Sequence, residues 1–231
     1  MIETPPLLTI KRPVRRPTDA QIAAFQDVPT SFVVDAMQGG GTLSPTIRPL
    51  GEGADIRCVA AGPALTADTG PGDILALLAA LDSVSVGDIV VSAFHGFQGC
   101  AAAGDRVCAM MKNCGAIGFV TDGPVRDYPG LVDVDLPVWC TGLNPNTPHS
   151  NGPGKIGTPI QIAGQEVETG DMIVADRDGV VVVPFEILDD VVAALKVVIE
   201  LETALDAELK QGLKIPASIV ELLGSEQVKY L

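Results

Sequence analysis

The texture of the chain changes once, near residue 158, and that change limits the folds open to it. Before it, apolar runs alternate with helical patterns. "IRCVAAGPALTA" (56–67), "GDIVVSAF" (87–94), "AIGFVT" (116–121) and "LPVWCTG" (136–142) read as strands. Between them, "GDILALLAALDS" (72–83), N-capped by Asp73, and "AAAGDRVCAMMKNCG" (101–115), closed by Gly115, read as helices. After it come antiparallel hairpins, "TPIQIAGQEV", "GDMIVAD" and "GVVVVP", with the turn "DRDG" (176–179) between the last two. Pro184 then starts a long amphipathic helix to about Gln211, ended by Gly212. Two short helices come earlier: 19–26, opened by a Thr18/Gln21 capping box, and 31–38, stopped by the glycines 39–41. The expectation is a mixed α/β fold of several layers in a single domain, with a hairpin-rich second half and a closing helix.

Composition narrows the function classes. Of the 231 residues 47% are hydrophobic and only 4% aromatic, which suits a core of Val, Ile, Leu and Ala. A net charge of −14 argues against nucleic acid and anionic membranes as partners, so an acidic substrate must be held by a few local cations. No apolar run approaches the roughly 18 to 20 residues needed to cross a bilayer. "MIETPPLLTIKRPVRRP" lacks the apolar core of a signal peptide, and its basic residues Lys11, Arg12, Arg15 and Arg16 suit an extended arm. Residues 1–18 are read as that arm and 19–231 as the domain. Five cysteines without C-x-x-C spacing fit free thiols in a reducing cytoplasm, and two histidines, His95 and His149, exclude a His-rich zinc site.

The chemistry concentrates where the strand 116–121 ends. "TDGPVRDYPG" (121–130) turns on Gly123 and Pro124 and places Arg126 and Asp127 side by side, at the carboxyl end of a strand where α/β sheets gather ligands. The pair reads either as an ion pair that holds the turn or as an anion hook beside a metal ligand. Twenty residues separate Asp105 from Arg126, and Asp105 lies in the first turn or two of the preceding helix, after a small-residue approach that ends in Gly104. A helix start offers unpaired N–H groups and positive potential. Mg²⁺ or Mn²⁺ needs only one or two carboxylates with water and substrate oxygens, and an arginine fork grips a carboxylate. Together these groups suit a 2-oxo acid; the plainer alternative has Asp105 capping its helix and pairing with Arg126.

The Asp-x20-Arg-Asp spacing within "GAIGFVTDGPVRD" resembles the RraA-like family, whose enzymes include 4-hydroxy-4-methyl-2-oxoglutarate aldolases. "VPTSFVVDAMQ" (28–38), "IRPL" (47–50), "GDIVV" (87–91), "LPVWCTG" (136–142), "GDMIVADRDGVVVVP" (170–184) and a helix carrying Glu202 ten residues before Gly212 follow the family in the same order, over roughly residues 19 to 223. One segment departs: the family's enzymes usually carry a Gly-Gly-rich loop with polar residues where this chain has "FHGFQGCA" (94–101).

The resemblance implies a β/β/α swivelling-domain sandwich, assembled as trimers or hexamers with sites between subunits. It implies a metal-dependent lyase that cleaves a 4-hydroxy-2-oxo acid to pyruvate through an enolate, with oxaloacetate decarboxylation as a side activity. Asp127 and Asp105 would hold Mg²⁺ or Mn²⁺, and Arg126 and Gly104 would contact substrate. His95 and Cys100, in the departing loop, are further substrate contacts; His95 is also a candidate proton donor and Cys100 a candidate low-pKa thiol or a packing residue. Asp35 and Glu202 are candidates for support from behind or from a neighbouring subunit. No lysine holds a site-like position, since Lys112 lies beyond the helix start and Lys155 in a loop, so a Schiff base is not expected. Some family members resemble regulators that bind ribonuclease E, and another enolate-forming reaction is a third alternative.

Overall fold

Residues 60–67 are all buried and Asp68 half-buried, so this run has protein on both faces and must lie between layers. The computed structural model of the chain describes residues 6–12 and 15–231. Its elements are β1 (Leu8–Ile10), α1 (Asp19–Ala24), α2 (Thr30–Ala36), β2 (Arg48–Pro49), β3 (Ala60–Asp68), α3 (Leu75–Ala80), β4 (Ile89–Ala93), α4 (Asp105–Asn113), β5 (Gly118–Thr121), α5 (Tyr128–Val134), β6 (Val138–Cys140), β7 (Gly154–Ile156), β8 (Ile160–Ile162), β9 (Gln165–Val167), β10 (Met172–Ala175), β11 (Val180–Val183), α6 (Leu188–Lys210) and α7 (Ala217–Leu223). Strands β3, β4, β5 and β6 pair in parallel, in that order, with the connecting helices α3, α4 and α5 supplying the crossovers that parallel strands require. The first residues of β3 pair antiparallel with β10, whose hairpin partner is β11. The result is a single α/β domain with a mixed sheet and a long C-terminal helix.

Two apolar cores hold it. One joins the parallel strands to α3, α4 and α5 through Leu65, Phe119 and Trp139 against Leu77, Met111 and Leu131. The other joins β10 and β11 to α2 and α6, through Met172 and Val183 against Val33, Leu188 and Leu195. Both cores are mainly aliphatic, with Phe25, Phe119 and Trp139 as their few fully buried aromatics. Only Leu188, Val191 and Leu195 of α6 are buried, and its distal half leaves Leu201 and Leu209 64% and 53% exposed. Among the described residues no helix is long and apolar enough to cross a membrane.

The structure differs from the sequence reading at several edges. The helix expected over 101–115 begins only at Asp105, and the strand expected from 56 begins at Ala60. Three strands and two helices are additional, among them the two-residue β2, which pairs antiparallel with β6, and α5, which starts just after Asp127. β7 closes the segment expected as loop, β1 pairs with it in parallel, and α7 follows the long helix. The capping box at Thr18 and Gln21 and the turn at Asp176–Gly179 form as read. The N-cap of α3 is Ile74 rather than Asp73, but Asp73 still accepts from Leu75 N–H at 2.8 Å, while its second oxygen holds the N–H groups of Asn151 and Gly152.

The described part of the N-terminal arm is fastened rather than free. Beyond β1, Arg15 donates to Glu168 at 3.0 Å and to buried Asp171 at 3.1 Å, pairs with Glu186, and lies 5.2 Å over the Phe185 ring. Arg16 pairs with buried Asp88. Burial pushes the Asp171 carboxyl up, while the N–H groups of Glu168 and Phe185 and then the Arg15 charge oppose that rise. Arg15→Gln therefore leaves a buried carboxylate short of its cation. Allowing for the partial exposure of Arg15, the expected cost is about 2 kcal/mol, or a melting temperature lower by about 4–8 °C for a chain of this size. Thermal denaturation checks it, and an unchanged midpoint would mean the arm is not clamped through this residue.

Candidate functional site at the carboxyl end of the sheet

Ala101–Ala103 have high helix propensity, yet their backbone is used sideways. Ala101 N–H donates to Asn146 O at 3.0 Å, Ala102 N–H to Pro124 O at 2.7 Å, and Arg126 N–H to Ala103 O at 3.0 Å. Ala103 bridges Val125, and Val125 bridges Leu143, so three connections form one small layer beyond the ends of β4, β5 and β6. This layer delays α4 until Asp105, which becomes its first residue, after Gly104 in extended conformation.

The same layer aims Arg126 and Asp127. Asp127 occupies the left-handed region (φ 64°, ψ 46°) at the start of α5, a conformation that aspartate tolerates better than most residues. Arg126 Nε lies 3.3 Å from Asp127 Oδ2, and Arg126 Nη1 donates to Thr147 Oγ1 at 2.9 Å. Both side chains stay partly exposed, at 34% and 44%. They cross directly over Gly104, where an added Cβ would stand 2.4 Å from Asp127 Oδ2 and 3.1 Å from Arg126 Cγ. Asp105 makes the matching approach to Gly130 of α5, whose added Cβ would meet Asp105 Oδ2 at 2.5 Å. Two helix starts thus abut through glycine, with one carboxylate at each.

Arg126 pairs with Asp127 and not with Asp105, whose Oδ1 accepts from Arg106 N–H at 2.6 Å. Among the described residues no group of three or more His, Cys, Asp or Glu could enclose a metal ion. An all-protein cage is therefore absent there, whereas a hydrated ion on one or two carboxylates needs no such cluster. Asp127, exposed and held only through one oxygen by Arg126, fits that second kind of site.

The departing loop is rigidly built. Buried Asp122, just past β5, accepts from Phe94 N–H through Oδ1 and from Gly96 N–H at 2.8 Å through Oδ2, bracketing His95 from both sides. Burial raises the Asp122 carboxyl's pKa, and those two N–H groups oppose the rise. His95 is left-handed (φ 57°), and its Nε2 lies 2.7 Å from Asp68 Oδ1 at the end of β3. Gln98 ties the loop to the connection after β6, taking a bond from Thr141 at 2.8 Å on its side chain and from Asn144 at 2.7 Å on its carbonyl. Beside this loop opens a cavity of about 1110 Å³, lined by His95, Gly96, Gln98, Asp122 and Tyr128 among others. Arg126 does not line it, but Tyr128, next to Asp127, does; its hydroxyl donates to Asp55.

The remaining candidates lie elsewhere. Cys100 is buried against Phe94 and Ala102, and burial pushes its thiol pKa up, so it packs and is no reactive thiolate. Asp35 is exposed on α2 beside a smaller hollow with Thr30 and Asp178. Glu202 is half-buried on α6, beyond that helix's last buried residue. Among the described residues, neither forms a hydrogen bond or ion pair with Arg126, whose side-chain partners are Asp127 and Thr147. Sequence reasoning missed Asp68, Asp122 and Thr147. Each closes a strand or sits in a turn, where Asp and Thr are ordinary, and only the tertiary partner sets them apart.

Residues 30–182 match the model of the RraA-like family, described as Aldolase/RraA. The chain belongs to the RraA-like family. A relative from Halalkalibacterium halodurans is 38% identical over 163 residues, 71% of this chain and 76% of its own; its name assigns it provisionally as a 4-hydroxy-4-methyl-2-oxoglutarate aldolase. One from Burkholderia multivorans, with the same provisional name, is 31% identical over 140 residues, 61% of this chain and 82% of its own. Among solved structures, an uncharacterized Pseudomonas syringae protein superposes with a TM-score of 0.72 at 23% identity, covering 86% of this chain and 96% of its own. The RNA-processing inhibitor RraA from Thermus thermophilis superposes with a TM-score of 0.62 at 22% identity, covering 69% and 94%. These two likenesses establish the RraA-like fold and nothing of its chemistry.

Gly104 supplies a direct test of the site. Its backbone (φ −134°) suits alanine, so the chain should fold, at a cost of about 1 kcal/mol for the poorer helix cap. The new Cβ must push Asp127 and Arg126 aside. Gly104→Ala should keep its melting temperature within about 4 °C while Mn²⁺ binding, read by electron paramagnetic resonance, weakens at least about tenfold, on the order of 1.4 kcal/mol. Undiminished Mn²⁺ binding would place the ion elsewhere.

Proposed function

We propose that this RraA-like chain is a divalent-metal-dependent lyase. In this reading it cleaves the C–C bond of a 4-hydroxy-2-oxo acid, of the 4-hydroxy-4-methyl-2-oxoglutarate or 4-carboxy-4-hydroxy-2-oxoadipate type, and releases pyruvate through its enolate. The observation that carries the reading is the Arg126–Asp127 pair, half exposed over Gly104 and one residue from Asp105. The provisional aldolase names of its relatives support it.

Asp127, with Asp105 behind it, would hold Mg²⁺ or Mn²⁺. Such a cation, when bound, supplies positive charge where the enolate oxygen develops its negative charge. The chain's own residues do the rest. Arg126 is tethered at Nε by Asp127 and at one Nη by Thr147, which leaves its remaining N–H groups to orient the 2-oxo-carboxylate end. With a net charge of −14, no general attraction for an anion substitutes for that fork. Lysine chemistry has no candidate at the pair: Lys112 donates to the carbonyls of Val134 and Asp135, and Lys155 faces Asp68. Oxaloacetate decarboxylation passes through the same enolate and is the expected side activity.

The inhibitor fold of the Thermus thermophilis neighbour motivates the rival, a ribonuclease-binding regulator. Such a role gives no reason to keep Arg126 and both carboxylates together around a glycine contact. Pyruvate release, coupled to lactate dehydrogenase and assayed with Mg²⁺ on a panel of 4-hydroxy-2-oxo acids, separates the two. On the best substrate, Arg126→Lys should fold normally and lose about two orders of magnitude in kcat/KM, on the order of 3 kcal/mol of transition-state stabilisation. A lower melting temperature with normal turnover would make Arg126 a structural ion pair.

A further inference from the structure

Aldol cleavage starts with loss of the 4-hydroxyl proton, and the residues at the Arg126–Asp127 pair are poorly placed to take it. One oxygen of Asp105 accepts from the Arg106 N–H and the other lies against Gly130. One oxygen of Asp127 is held by Arg126. The loop that departs from the family pattern offers a different group. His95 is held left-handed between two N–H bonds to Asp122, and strained backbone fixed in this way is common where a side chain must be aimed. What it is aimed at is Asp68: Nε2 lies 2.7 Å from Oδ1, while Lys155 Nζ lies 3.7 Å from the other oxygen. With the carboxylate accepting, Nε2 carries the ring hydrogen and Nδ1 keeps its lone pair. Among the described residues no hydrogen bond engages Nδ1. The imidazole is half exposed and lines the cavity that extends to Tyr128, the residue after Asp127.

We propose that His95 is the catalytic base of the cleavage reaction, with Asp68 as its positioning residue. The proposal rests on the lyase reading above. Nδ1 takes the 4-hydroxyl proton, and the O–H electron pair becomes the second C–O bond of the carbonyl product. The C3–C4 bond breaks, and its electron pair passes into the pyruvate enolate. The enolate takes its C3 proton from solvent water and the Nδ1 proton passes to solvent, giving pyruvate and a neutral imidazole. Nothing is oxidised or reduced. Asp68 fixes the tautomer.

Two substrates test it. Oxaloacetate yields the same enolate by losing CO₂ and has no hydroxyl proton to give up, so its decarboxylation does not need this base. Wild type, His95→Asn and Asp68→Asn are compared on both substrates with Mg²⁺; asparagine is chosen at 95 because it tolerates left-handed backbone. His95→Asn should lose at least about 100-fold in kcat for cleavage, the low end of general-base contributions, and keep decarboxylation within about threefold. Asp68→Asn, which leaves the strained position untouched, should lower cleavage kcat with little change in KM. Equal losses on both substrates would make His95 a structural or binding residue and overturn the proposal, as would unchanged cleavage. Wild type that decarboxylates oxaloacetate but cleaves no 4-hydroxy-2-oxo acid would overturn the base while sparing the enolate site. Wild type inert on both would remove the lyase reading and the proposal with it.

Discussion

Three backbone hydrogen bonds, from Ala101, Ala102 and Arg126, govern the functional end of this molecule. They stitch the segment before α4 to the turn after β5, and Asn146 brings the connection after β6 into the same layer. Without them the three alanines would extend α4 backwards by a turn, and Asp105 would sit inside a helix instead of at its start. With them, Gly104 lies under the Arg126–Asp127 pair and Gly130 lies against Asp105. The glycines are needed because side-chain oxygens stand where a Cβ would be.

The same stitching explains what was legible in the sequence. β3, β4 and β5 announce themselves as apolar runs because burial on both faces favours apolar side chains throughout, with Thr66, Ser92 and Thr121 the buried exceptions. The Asp-x20-Arg-Asp spacing marks the site because chain order alone brings a helix start beside the end of the next strand. The true start of α4 was hidden, since Ala-Ala-Ala prefers helix and the partners that override it lie more than twenty residues away. β1 and β7 are three-residue strands among prolines and glycines; β1 pairs with β7, which is held in turn by the end of β3, so their partners are distant in sequence. Asp122 reads as a turn residue; its role in fixing His95 appears only when the ends of β4 and β5 lie side by side.

Charge gives the fold and the chemistry a common logic. The chain is strongly acidic, and two of its N-terminal arginines, Arg15 and Arg16, pair with buried Asp171 and Asp88. Arg126 differs in its partner, for it pairs with Asp127, a carboxylate that is itself 44% exposed. In the proposed reading, a partly free guanidinium beside a carboxylate that takes a cation suits a small anion that needs both charges. His95 and Asp68, reached across the rigid loop 94–99, would add the proton acceptor that such a site lacks.

The joint use of Arg126 and Asp127 is tested most directly by linkage between a metal and an enolate mimic. Oxalate, a planar dianion that resembles the pyruvate enolate, is titrated into the protein with and without Mn²⁺ by calorimetry. Oxalate should bind at least about tenfold more tightly when Mn²⁺ is present, and Mn²⁺ should gain by the same factor from oxalate, since such coupling is reciprocal. Asp127→Ala should abolish the coupling. Oxalate binding of equal strength with and without Mn²⁺ would contradict a shared metal and 2-oxo acid site.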